Sequence, residues 1–89
     1  MIFVKRLVLD VLKPHQPNAL DFAQAIATAG GNYRVRVAVL EVDEKTETLE
    51  VVVEGDTIDF EAVQSGISDL GGSLHSIDEV EVQSEPRSG

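Results

Sequence analysis

Asp10, Lys13 and His15 close one apolar run of this chain, and Ser73, His75, Ser76, Asp78 and Glu79 open another. If the two runs are antiparallel neighbours, the end of the first strand meets the start of the last, and these residues gather at one end of a sheet together with both histidines of the protein. Asp10, Asp78 and Glu79 would then supply oxygens for a hard divalent cation such as calcium or magnesium. Two histidines with a carboxylate would instead suit a transition metal. Lys13, His15, His75 and Ser76 are the groups such a cluster offers to a small anionic ligand. No fixed metal spacing such as His-Glu-x-x-His is present. A purely structural reading stands beside these: Asp10 and Lys13 as a solvated pair, His15 in a proline turn, His75 at a strand edge.

Little other chemistry is encoded. With no cysteine, thiolate sites and disulfides are excluded. The glycine pairs 30–31 and 71–72 end helices rather than begin them, so neither presents a helix N-terminus to a phosphate. The serines lack a base partner at a nucleophile elbow, and Tyr33 beside Arg34 is a single aromatic, not a stacking platform.

The elements that must position the cluster follow from periodicity. Residues 3–12 alternate as a strand, with Phe3, Lys5, Leu7, Leu9 and Val11 on one face and Val4, Arg6, Val8, Asp10 and Leu12 on the other. Pro14 and Pro17 end it, because proline lacks a ladder donor and restrains its predecessor. Asn18 then caps a helix, with Asp21 at its third position and Ala19, Phe22, Ala23, Ile26 and Ala29 at helical spacing. Val35, Val37 and Val39 alternate in a second strand. The polar run 43–48 reads as a hairpin loop, and Leu49, Val51 and Val53 begin the return. Pairing Val42 with Glu50 and Leu40 with Val52 keeps both core sets on one side. Asp59 caps a second helix, Ile58 and Val63 have the spacing of a hydrophobic staple, and Gly71 provides a left-handed stop. Leu74, Ile77, Val80 and Val82 belong to a last strand whose parity break predicts a bulge between Ser76 and Glu79.

The order βαββαβ is that of the α+β ferredoxin-like sandwich, an antiparallel sheet of order 4-1-3-2 with two helices on one face. One domain over residues 1–83 and a frayed tail at 84–89 are expected. The formal charge of -9 disfavours nucleic acid, since only Arg34 and Arg36 lie close together. The scarcity of lysine also fits a salt-rich cytoplasm. The chain has no apolar run near the roughly 20 residues of a membrane span and no signal-peptide pattern at its start, so a cytoplasmic location without membrane association is expected.

Two helices cover one side of such a sheet. The other side would carry Val8, Leu12, Ala38, Leu40, Val42 and Val52, a patch that a monomer should not expose. A closed homo-oligomer is therefore expected. A chain of 89 residues with a modest aliphatic core and no staples gains stability that way. The function expected is a non-enzymatic binding or regulatory module. The alternatives are an enzyme whose site is completed between subunits through His75 and Asp10, and a purely structural assembly protein.

The segments 9–15 (LDVLKPH) and 71–80 (GGSLHSIDEV), with the hairpin 41–48 (EVDEKTET), resemble a family of uncharacterised archaeal proteins, domain of unknown function 211. The resemblance runs from Ile2 to Val82. It implies a ferredoxin-like fold, a ring-like homo-oligomer and calcium as a ligand, with no established activity. The family's motifs fall here on Asp10, Lys13, His15, His75, Ser76, Asp78 and Glu79.

Overall fold

A computed structural model describes residues 1–85. Its elements run β1 (Ile2–Pro14), α1 (Ala19–Ala27), β2 (Arg34–Val42), β3 (Thr46–Glu54), α2 (Phe60–Asp69) and β4 (Ser73–Ser84). The four strands form one antiparallel sheet of order β2-β3-β1-β4, the expected order read from the other edge. Ser84, placed in the frayed tail by sequence, pairs with Ile2 as the last residue of β4. Residues 86–89 of that tail lie outside the described residues.

Both helices start where their caps require. The Asn18 side chain accepts from the Asp21 amide at 2.8 Å, and Asp59 accepts from the Ala62 amide at 3.2 Å. Each helix buries two residues four apart, Phe22 with Ile26 and Val63 with Ile67, as one face of a 3.6-residue period dictates. These meet one row of the sheet, namely Leu7, Leu9 and Val11 of β1 and Leu49, Val51 and Val53 of β3. Ile58, the staple residue, closes the same cluster. Val4 also packs there, although strict alternation assigns it to the opposite row. The ladder slips between Val4 and Arg6, and Lys5 takes up the extra step.

The β2–β3 hairpin is tighter than expected. Asp43 to Lys45 alone separate the strands, and Thr46 to Thr48 belong to β3. Glu50 pairs with Ala38 rather than Val42, and Val52 with Arg36 rather than Leu40. The sequence places the polar residues 46–48 in the loop because they lack apolar alternation, but all three pair with β1, and Glu47 and Thr48 pair with β2 as well. A slip between Val39 and Glu41 leaves Leu40 out of the ladder and aligns Val42 with Glu47.

This register also breaks up the expected apolar patch. Val8 and Val52 are buried within the single chain. Along the same row stand the Arg6–Glu54 and Arg6–Glu79 ion pairs, both 2.8 Å, and the looser Arg36–Glu50 pair at 3.6 Å. Long arginine stems cover apolar surface while their charged heads stay wet. Of the large apolar side chains left exposed, Val39, Leu40 and Val42 lie on the edge strand β2 and Ile77, Val80 and Val82 on the edge strand β4, while Met1, Ile2 and Leu20 lie elsewhere.

The junction of α2 with β4 rests on two glycines. Gly71 has φ +82°, a left-handed conformation that a side chain resists. A Cβ on Gly72 would lie 2.9 Å from Ile67 Cγ2 and 3.1 Å from the Ile67 carbonyl oxygen. Gly71→Ala is expected to destabilise the fold by about 1–2 kcal/mol, the cost of forcing an alanine into that conformation. A urea midpoint equal to that of the parent protein would contradict it.

Candidate functional site

The bend after β1 holds a polar knot that only partly coincides with the cluster expected from sequence. Lys13 lies on the core-facing row, two residues beyond Val11, and its side chain is fully buried. Its ammonium has three acceptors: Glu47 Oε1 at 2.7 Å, the Pro17 carbonyl at 2.8 Å and the Pro14 carbonyl at 3.0 Å. Three donors meet three acceptors, so the charge is fully satisfied. It is not a solvated partner of Asp10, which stands on the opposite row.

Glu47 is the residue directly across from Lys13 on β3. Its second oxygen, Oε2, lies 3.2 Å from His15 Nδ1, and His15 Nε2 lies 3.0 Å from the Glu44 carbonyl oxygen. The Glu47 side chain is 18% exposed and that of His15 39%. The hydrogen bond from Lys13, and next the bond from His15, hold the Glu47 carboxyl below its ordinary range. The bond to Glu47, and next that to the Glu44 carbonyl, raise the His15 imidazole above its ordinary value. Glu47 is the functional residue that sequence reasoning missed. The signal that could have found it is the β1–β3 register, which sets a lone acid opposite a lone lysine at the end of two apolar rows.

The remaining candidates lie along β4 on the other flank of β1. Asp10 pairs with Ser76, whose hydroxyl donates to Asp78 Oδ1 at 2.7 Å. The predicted bulge is present, since the ladder steps from Glu79 to Ile77 and leaves out Asp78. A second slip, from Ser76 to Leu74, leaves out His75. Glu79 accepts from Arg6. His75 is exposed, and His15 is turned toward the hairpin on the β3 side. The two histidines thus serve different strands rather than one centre. Among the described residues no three His, Asp or Glu side chains are grouped to hold a metal ion. No helix of the described residues is long and apolar enough to cross a membrane.

This arrangement, a βαββαβ chain with its two polar ends on β1 and β4, belongs to a defined family. Residues 5–85 match the model of the uncharacterised ArCR proteins, domain of unknown function 211, and the chain is a member of that family. It is 43% identical over 77 residues to the uncharacterised protein MJ0319 of Methanocaldococcus jannaschii, a match covering 86% of this chain and 79% of the relative.

Proposed function

We propose that the protein is a non-enzymatic, ring-forming homo-oligomeric module of ferredoxin-like sandwich architecture, with both helices on one face of the sheet. The observation that carries this reading is the position of the exposed apolar side chains. On β4, Ile77, Val80 and Val82 are 46%, 53% and 56% exposed, and on β2, Leu40 and Val42 are 61% and 65% exposed. These strands are the opposite edges of the sheet. Two different strips on opposite edges suit a head-to-tail contact, which closes into a ring when the rotation allows.

Wild-type chain should sediment as a closed oligomer at micromolar concentration, and Val80→Asp and Leu40→Asp should each sediment as monomers. Mixed together, the two variants retain one intact junction and should form a dimer that neither forms alone. Assembly of either single variant at the wild-type mass would count against the head-to-tail arrangement. A monomeric wild-type chain would remove the oligomer altogether.

Calcium is the cation this reading admits. Asp10, Ser76 and Asp78 offer only oxygens, which suit a hard ion, while His15 is committed to Glu47 and Glu44. Because calcium takes six to eight oxygens, such a site draws its remaining ligands from water or an adjoining copy. Binding to the assembled state should raise the melting temperature on addition of calcium.

A further inference from the structure

The ring nitrogens of His15 face two groups that can only accept: a carboxylate oxygen of Glu47 and the backbone carbonyl of Glu44. A neutral imidazole carries one N–H and satisfies one of them. An imidazolium carries two and satisfies both. The partners belong to β3 and the hairpin turn, whereas His15 follows β1, so these two bonds join segments that are about thirty residues apart in sequence. We infer that His15 is a proton-operated latch, which as imidazolium ties the β2–β3 hairpin to the turn after β1 and on deprotonation gives up one of its two ties.

The charged surroundings fit this role. Glu47, from β3, faces the ring through one oxygen and holds Lys13 of β1 through the other. In the hairpin the Asp43 carboxylate is occupied by the Glu44 amide at 2.8 Å, which fixes the turn that presents the Glu44 carbonyl. A cation at His15 therefore sits against one carboxylate and one carbonyl, with Lys13 on the far side of the shared acid.

The sign of the pH response follows from the two directions of shift. His15 is raised from 6.5, so its contribution is fully present below that value and is lost as pH rises through the folded-state titration. Glu47 is lowered from 4.5, so its contribution is present above that value and is lost as pH falls through its folded-state titration. The knot is tightest between the two ordinary values and loosens on the alkaline side first at His15.

Imidazole proton shifts in a His75→Gln protein, which leaves His15 as the only histidine, give its titration directly. The midpoint should lie above the roughly 6.5 of a free histidine. Amide hydrogen exchange of residues 43–46, corrected for intrinsic base catalysis and referred to Val51 in the core, should lose protection through that same titration. The loss should be by the factor by which the latch strengthens proton binding. In His15→Phe the corrected protection should not change through the pH range of that titration. A His15 midpoint at or below the free value, hairpin protection indifferent to pH, or an unchanged pH response in His15→Phe would each overturn the latch.

Discussion

Glu47→Leu is expected to destabilise the fold by about 3 kcal/mol or more, the cost of leaving one member of a buried ion pair uncompensated. The Lys13 ammonium has no route to water, because its whole side chain is buried. Two carbonyls would remain to it, but no negative charge. Lys13→Met should cost less, about 1–3 kcal/mol. It keeps the aliphatic stem in place, and the carboxylate it strands is partly exposed and still faces His15, although the Pro14 and Pro17 carbonyls lose their donor. Combining the two changes should recover part of the loss from Glu47→Leu, since replacing both members of a buried pair by apolar groups is often nearly neutral. Chemical denaturation of the four proteins in a double-mutant cycle measures the coupling. Strict additivity would show that the two side chains do not stabilise one another.

The same pair shows why the candidate site was only half legible in the sequence. Caps, helix spacing, the glycine stop and the strand order each follow from short-range chemistry: Asn18 and Asp59 bind the amides three residues on, and Gly71 takes its left-handed turn. The bulge at Asp78 was visible as a break in parity. Register across the hairpin is a different matter. Thr46, Glu47 and Thr48 are polar, so a rule that reads strands from apolar alternation leaves them in the loop. That shift of the pairing moved Glu47 out of the sheet and hid the only acid opposite Lys13. Without it, strand adjacency alone groups Lys13 and His15 with the residues of β4. Their side chains turn to the other neighbour, β3, where the compensating charge is. A buried lysine must find an acid, and this requirement outweighs proximity along a strand pair.

Phe22→Ala is expected to cost about 3–5 kcal/mol through lost burial and the cavity left behind. Against the roughly 4–13 kcal/mol available to a domain of this length, that is a large share of the total. Phe22 is fully buried and is the largest apolar side chain in a core otherwise built of Val, Leu and Ile. The cluster it joins has little room to collapse into the space, because its other members stand on strands fixed by the ladder and on a second helix. The effect should also be local. α1 has nine residues and buries only Phe22 and Ile26, and a helix this short does not hold its shape in water without tertiary packing. Amide exchange should therefore show α1 opening before the sheet in the variant, with residues 19–27 losing protection relative to Val51. Leu20→Ala in the same helix is the control. Leu20 is largely exposed, and its loss should stay within about 0.5 kcal/mol. A comparable cost at both positions would mean that α1 is held by something other than the buried cluster that Phe22 joins.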